Sequence, residues 1–164
     1  MSLSTTSRLA QLALEVARTQ LGQEEQPKGS NSGPMVSKYL LSVGLKPGYP
    51  WCQAFMYWCY ATAAARMGIK CPVIRTAAVH DLWNRTPAFM KYTAKDTAAI
   101  QPGAQFILLF AGGTGHTGIV ERVDGNIICT IEGNSNNNGS REGYAVVRHR
   151  RSLTDPALAG FITY

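Results

Sequence analysis

The spacing of the apolar residues changes once along this chain, near Pro102 and Gly103. Before that point, apolar side chains recur at the three- and four-residue intervals of amphipathic helices. After it, short runs rich in β-branched and aromatic residues alternate with turn residues, which is typical of strands. Helices in one half of the chain and strands in the other predict an α+β fold with the two kinds of element in separate layers.

The first half predicts three helices and a weaker fourth. Gly22, Gly44 and Gly68 follow the first three, where glycine commonly ends a helix. The third segment is rich in alanine and aromatic residues around its whole circumference, which indicates a buried central helix. The predicted helices cover residues 7–21, 34–43, 51–67 and 76–84, and a polar loop covers residues 23–33.

The second half predicts about five strands in one antiparallel sheet. Asp124-Gly125 lies between the second and the third strand and is a strong hairpin signal. The predicted strands cover residues 104–110, 117–123, 127–132, 144–148 and 158–163, and the asparagine-rich residues 134–138 are predicted to form a surface loop. A length of 164 residues suits one domain, 1–164, with a helical part at about 1–90 and a strand-rich part at about 103–164.

The net charge of +6 favours an anionic partner, such as a nucleic acid, an acidic lipid surface or a bacterial wall polymer. Basic residues are scattered apart from Arg148, Arg150 and Arg151, so the stripe expected of a nucleic-acid-binding protein is missing. We interpret this arginine cluster as a solvated face.

No segment reaches the roughly 18 apolar residues of a membrane span.

The N-terminal residues do not have the pattern of a signal peptide. Gln11 and Glu15 interrupt the apolar stretch, and Arg8 alone is a weak charged flank. Three origins are compatible with this pattern: a cytoplasmic protein, export by a route that needs no leader, and a domain of a longer chain.

The four cysteines predict neither a metal site nor a cofactor. Cys52, Cys59, Cys71 and Cys129 contain no C-x-x-C pair, and the three histidines are far apart in the sequence. Cys59 lies in the aromatic helix and Cys129 in a β-branched run, so both are expected to be buried free thiols.

Cys52 differs from the other cysteines because it stands at the start of the predicted central helix. The backbone N–H groups and the partial positive charge of a helix N-terminus stabilise a thiolate, and the same groups can bind an oxyanion. A nucleophilic thiolate also needs an imidazole that accepts and returns a proton. The alternative interpretation is that Cys52 is one more small buried side chain.

His116 is the candidate partner for Cys52. It lies in a glycine-rich run, AGGTGHTG, just before an apolar strand, whereas His80 and His149 have less favourable surroundings. Glycines at this place suit a loop that approaches a substrate backbone closely. The alternative is a solvated loop histidine.

The predicted hairpin supplies a third polar group near His116. If its loop is residues 124–126, His116 lies opposite Asn134, and Glu132 points to the same face two residues away. Either side chain can then fix the orientation and tautomer of the imidazole.

Three motifs resemble the CHAP group of amidohydrolases and peptidases, in the papain-like, NlpC/P60-related superfamily. They are PWCQAF, GHTGIV and IEGN, and the earlier segment GQEEQPKGSNSGP is similar to a segment found in many CHAP-type wall hydrolases. The resemblance covers roughly residues 12–164. It implies a papain-like fold, a nucleophile at Cys52, a general base at His116, and orienting groups at Glu132 and Asn134.

The resemblance also implies the reaction. The expected substrate and partner is bacterial peptidoglycan, cut at the amide between muramic acid and L-alanine or within the stem peptide or cross-bridge. The expected place of action is therefore the cell wall. Trp51, Tyr49 and Gly115 are the candidate substrate contacts. The resemblance does not identify an immunity or targeting partner.

Two features depart from the family pattern. Lys46 and Pro47 stand where papain-type enzymes often carry an oxyanion-binding Gln, which leaves the backbone N–H of Cys52 as the one donor that we can name. The Asp-rich calcium loop of some phage enzymes is missing, and Glu24 with Glu25 does not replace it. The alternatives are a cytoplasmic thiol amidohydrolase or acyltransferase with a non-wall substrate, and an inactive papain-like binding module.

Overall fold

The computed structural model describes residues 5–136 and 143–164. Helices come first along the chain and strands follow. The helices are α1 (Thr5–Thr19), α2 (Pro34–Ser42), α3 (Cys52–Met67) and α4 (Val79–Arg85). The strands are β1 (Lys91–Tyr92), β2 (Gln105–Leu109), β3 (Gly115–Asp124), β4 (Ile127–Ser135), β5 (Ala145–Ser152) and β6 (Leu158–Ile162). None of the helices in the described ranges is long and apolar enough to cross a membrane.

The strands form one antiparallel sheet in the order β1-β6-β2-β3-β4-β5. The predicted α+β arrangement, with helices before an antiparallel sheet, is confirmed. The five predicted strands correspond to β2–β6. The sheet has a sixth strand because Lys91 and Tyr92 pair with Ile162 and Phe161 of β6. Two residues are too few to leave an alternating pattern in the sequence.

Helix α3 is the central helix, as predicted. It packs against α1, α2, β3 and β4. Gly133 of β4 allows the close approach of helix and sheet, since a Cβ at this position would lie 2.8 Å from the Phe55 side chain and from the Trp51 ring. The buried residues of α3 are Cys52, Gln53, Ala54, Phe55, Met56, Cys59, Tyr60, Ala63 and Ala64.

The loop after α1 covers part of the outer edge of β5. The backbone N–H of Gly22 donates to the carbonyl of Val146 at 3.0 Å, and the N–H of Val146 donates to the carbonyl of Gln23 at 2.9 Å. The N–H of Glu25 donates to the carbonyl of Tyr144 at 2.8 Å. This pairing fixes the backbone of Glu25, whose side chain reaches the start of α3.

The β3–β4 hairpin differs from its predicted register. Asp124 pairs with Ile127, so the turn contains two residues and not the predicted three. Gly125 in this turn has a φ of 59°, which favours glycine. A β-bulge after Val120 shifts the register by one residue, and Val120 then pairs with Thr130 as the longer loop predicted. The sequence pattern did not reveal the bulge.

The predicted surface loop at residues 134–138 is wrong in its first part. Residues 134 and 135 belong to β4, and Asn136 is buried. Residues 137 and 138 lie outside the described residues.

Candidate active site

Cys52 is the first residue of α3 and is 6 % exposed. The first N–H that bonds back within the helix is that of Phe55, which donates to the carbonyl of Trp51 at 2.8 Å. The N–H groups of the first turn, including that of Cys52, are therefore left without helical acceptors. They give the cysteine sulfur and an adjacent oxyanion a positive electrostatic environment.

Trp51 holds the residue before the cysteine in place. Its indole Nε1 donates to Glu25 Oε1 at 2.9 Å, and its ring stacks on Tyr39 with centroids 5.6 Å apart. Glu25 is itself buried and also accepts from the backbone N–H of Gly29 at 2.8 Å. Because Trp51 is completely buried, the expectation that it contacts substrate is corrected. It is a core residue that anchors the start of α3.

His116 is positioned on β3 between Cys52 and Glu132. Its Nε2 lies 2.6 Å from Glu132 Oε2. This bond leaves Nδ1 as the ring nitrogen that faces Cys52. Burial lowers the pKa of His116, but hydrogen bonds to Cys52 and Glu132 outweigh burial and raise the pKa to about 9. The geometry therefore favours the imidazolium form beside the thiol.

Glu132 is a fully buried carboxylate with four hydrogen-bond donors around it. Its Oε1 accepts from Thr130 Oγ1 and from Arg151 Nε, both at 2.6 Å. Its Oε2 accepts from His116 Nε2 and from an Arg151 terminal nitrogen, again both at 2.6 Å. Burial raises the pKa of Glu132, but the bonds from Arg151 and His116 outweigh it and hold that pKa well below the usual range.

Gly118 makes room for this carboxylate. A Cβ at Gly118 would lie 2.7 Å from Cγ of Glu132 and 2.8 Å from the Phe106 ring. Such distances are below van der Waals contact, so a larger residue would displace Glu132. A glycine of this run therefore leaves the space that the Glu132 side chain occupies.

Asn134 lies at the end of β4, beyond the last described pair of β3 with β4, Ile119 with Ile131. The β4–β5 pairing is irregular between Glu132 and Ser135, and Asn134 has a φ of 53°. Among the described residues, its buried Oδ1 has no hydrogen-bond partner. Past the bulge, Val120 and Ile119 pair with Thr130 and Ile131 in the register that the hairpin arithmetic used, and the described pairs end there. The position of Asn134 opposite the imidazole therefore stays a prediction. Its assignment as an orienting group stays a prediction.

Gln53 points into the core and not toward the thiol. Its Oε1 accepts from Gln105 Nε2 at 2.7 Å. Gln105 in turn donates to Thr117 and accepts from Tyr164. This buried network fixes the first turn of α3 against β2 and β3. It also leaves the Cys52 N–H as the oxyanion donor predicted from sequence.

The other residues predicted from sequence lie as follows. Tyr49 is 53 % exposed, just before α3, and remains a candidate substrate contact. Gly115 packs against Val79 of α4, where a Cβ would lie 2.9 Å from the valine side chain. The free thiols of Cys59 and Cys129 are buried, as expected. No group of three metal-ligating side chains occurs within residues 5–136 and 143–164.

Sequence reasoning missed Glu25, Thr130 and Arg151. The solvated-face interpretation is wrong for Arg151, whose side chain is 25 % exposed and paired with Glu132. The β4–β5 register is the signal that could have found it, since Arg151 pairs with Ile128 and so shares the face of Thr130 and Glu132. That register was not available from a strand predicted to end at residue 148.

A separate groove is lined by residues of α1, β3, β4 and β5. Arg18 and Arg148 both pair there with Glu121, and Arg122 of its lining pairs with Asp124. Arg150 also lines this groove, and neither Cys52 nor His116 does. The groove is a basic surface with internal ion pairs, separate from the reactive thiol.

Comparison with known proteins gives a family match and two similar structures. The model of the CHAP domain matches residues 44–134, which include Cys52, His116, Glu132 and Asn134. Crystal structures of Ly7917, alone and with the hydrolyzing product of MDP, are 18 % identical to this chain, with TM-scores of 0.48 and 0.49. The matches cover 94 % of this chain and 61 % and 62 % of those chains, so this chain spans less than two thirds of their length. No curated protein sequence matches the chain.

Proposed function

The chain belongs to the CHAP domain family, and from this membership and the site geometry we propose that it is a cysteine-type hydrolase of peptidoglycan amides. The observation that carries the proposal is the place of the His116 imidazole, which interacts with the Cys52 side chain and binds the buried Glu132 carboxylate at 2.6 Å. A nucleophile, a base and a group that orients the base are the parts that amide hydrolysis by a thiol requires.

The first half of the reaction forms an acyl-enzyme. The Cys52 thiolate attacks the amide carbonyl carbon, and the backbone N–H of Cys52 donates to the oxyanion that develops. The C–N bond breaks as the His116 imidazolium gives its proton to the leaving amine. A thioester on Cys52 and a free amine are the products of this step.

The second half releases the acid. Neutral His116 takes a proton from water, and the resulting hydroxide attacks the thioester carbonyl. The C–S bond breaks, the carboxylic acid leaves and the Cys52 thiolate returns beside the imidazolium. Glu132 stays ionised throughout, fixes the ring through Nε2 and stabilises its positive charge.

Peptidoglycan is the substrate class that charge and family membership favour together. The net charge of +6 suits an anionic wall. The bond is proposed to be the muramoyl-L-alanine amide or an amide of the stem peptide or cross-bridge. The place of action is then the cell wall. The chain is proposed to act there as a single catalytic domain.

Digestion of purified peptidoglycan tests this function. The protein is expected to clear a peptidoglycan zymogram and to release fragments whose masses identify the bond, while a Cys52→Ser variant releases none. New amino termini of L-alanine with intact glycan chains indicate the amidase, and internal stem-peptide termini indicate the endopeptidase. Turnover of a soluble amide or ester without wall hydrolysis would instead support the non-wall thiol hydrolase. A reactive Cys52 with no turnover of either would support the binding module.

Activity is expected to persist in EDTA. The mechanism uses a thiolate and an imidazole and needs no Lewis acid. The measurement compares wall hydrolysis before and after dialysis against chelator, with addition of zinc or calcium as the control. A loss that either metal restores would show that the reaction depends on an ion.

A further inference from the structure

Arg151 binds both oxygens of the Glu132 carboxylate. Its Nε donates to Oε1 and a terminal nitrogen donates to Oε2, each at 2.6 Å. Two parallel charge-assisted bonds fix a carboxylate in one plane and in one rotation. Because Oε2 also accepts from His116, the rotation that Arg151 gives the carboxylate also sets the position of the oxygen that binds the imidazole.

The surroundings of Arg151 fix the arginine in turn. Its guanidinium carbon lies 5.5 Å from the centre of the Phe106 ring, and the ring centre of His116 lies 6.1 Å from the same centre. Phe106 is fully buried on β2, so its fixed ring packs against both the histidine and the arginine. Such stacking suits the planar guanidinium of arginine and is weaker for the ammonium of lysine.

Arg151 supplies the positive charge that makes the sum of the charges on Cys52, His116, Glu132 and Arg151 zero. In the reactive state Cys52 and Glu132 carry negative charges and His116 carries one positive charge. Arg151 supplies the second positive charge, so a nearly enclosed group of four charges has no net charge. A buried carboxylate with no strong cation tends to take up a proton instead of remaining ionised.

We propose that Arg151 is a positioning residue for the reaction, which holds Glu132 ionised and aims its Oε2 at His116. The inference rests on the proposed roles of Cys52 and His116 and adds a fourth residue to them. Arg151 does not touch the reacting atoms, and it acts through Glu132 alone.

The groups that face Glu132 come from each element packed against it. His116 projects from β3, Arg151 from β5 and Thr130 from β4 itself, and Cys52 of α3 lies beyond His116. Asp155, after β5, interacts electrostatically with Arg151. Burial raises the pKa of Glu132, and the hydrogen bond from Arg151 is the largest single interaction that lowers it. When the Arg151 side chain is removed, burial should raise the pKa of Glu132 and favour its neutral form.

An Arg151→Met variant tests the inference without a wall substrate. The rate at which iodoacetamide alkylates Cys52 is measured across pH, since it reports the thiolate that pairs with imidazolium. We expect the step in this profile at which the imidazolium loses its proton to move to lower pH by about one to two units, because protonated Glu132 no longer supports imidazolium. Peptidoglycan hydrolysis is expected to show the same displacement of its alkaline limb.

Arg150→Met is the matched control, since Arg150 is the exposed neighbour on the same strand and lines the separate groove. Its alkylation profile should coincide with that of the wild type. In a Glu132→Gln background, Arg151→Met should produce no further shift, because its effect passes through the carboxylate. Arg151→Lys keeps the charge but not the paired bonds, so its alkaline limb should stay near the wild-type position while hydrolysis slows several-fold.

Thermal melts establish that each variant is folded. If Arg151→Met is folded and its profile matches that of Arg150→Met, the inference is overturned. If Arg151→Met does not fold, Arg151→Lys decides, and wild-type rates in this variant would refute the positioning role. A shifted alkylation profile without any peptidoglycan cleavage would overturn the proposed substrate and leave the role of Arg151 standing.

Discussion

A Cys52→Ser variant is expected to keep the fold and to lose wall-hydrolysing activity by at least about a thousandfold. Serine is nearly the same size as cysteine, so the start of α3 and the contact of Trp51 with Glu25 should remain intact. The loss arises because the hydroxyl is a far weaker acid than the thiol and does not form an anion beside imidazolium. Zymograms and thermal melts of the two proteins measure activity and fold separately.

Selective alkylation checks the same assignment in the unmodified protein. Cys52 should react with iodoacetamide at mildly acidic pH, and the other thiols should react slowly. Burial raises the pKa of Cys59 well above its usual value and also raises that of Cys71. Cys129 is the strictest control, because it has a nearby cation but no imidazole among its described partners. A terminal nitrogen of Arg122 lies 3.4 Å from the Cys129 sulfur.

Mass spectrometry of peptides after brief labelling identifies the modified cysteine. Equal labelling of all four thiols would contradict the assignment of Cys52, and so would an active Cys52→Ala protein. A Cys129→Ser variant should retain wild-type hydrolysis, since this thiol lies in the separate groove.

The elements of this fold could be predicted because each carries a local signal. Helix α3 is apolar on all sides and ends at Gly68, which adopts the left-handed conformation with a φ of 67°. Its buried position follows from composition alone. By contrast, the described pairing of β1 is with β6, and β5 extends beyond the predicted residue 148 through the exposed Arg150 and the half-buried Arg151. Long-range pairing determines both features, and a local pattern does not contain it.

The site was predictable as a set of residues but not as a set of contacts. The motifs and the helix terminus indicated Cys52, His116 and Glu132, and the structure places these three in series. The choice between Glu132 and Asn134 depended on which side chain reaches the imidazole, and strand register alone does not give that contact. Arg151 was overlooked for a related reason: a basic residue on a strand looks solvated until the register shows which acidic residue lies on its face.

Glu132→Gln should move the alkaline limb of the pH–rate profile to lower pH by about one to two units. In the wild type, the pKa of His116 is raised to about 9, so imidazolium persists up to that pH and is lost above it. Removing the carboxylate charge takes away one of the groups that raise this pKa, and the proton is lost earlier. Turnover should fall on the order of a hundredfold or more, since the glutamine amide N–H₂ must face either His116 or Arg151, both of which are donors.

Asn134→Gly is the matched control, because glycine adopts the φ of 53° found at Asn134 without strain. This variant should leave the alkaline limb unchanged and reduce turnover less, since Asn134 makes no described hydrogen bond to His116. The full pH dependence of kcat/KM, measured on soluble peptidoglycan fragments, separates the two variants, and thermal melts show whether each is folded. Should Glu132→Gln keep both the wild-type rate and the alkaline limb, Glu132 would not support the imidazolium, and Asn134 would become the orienting residue.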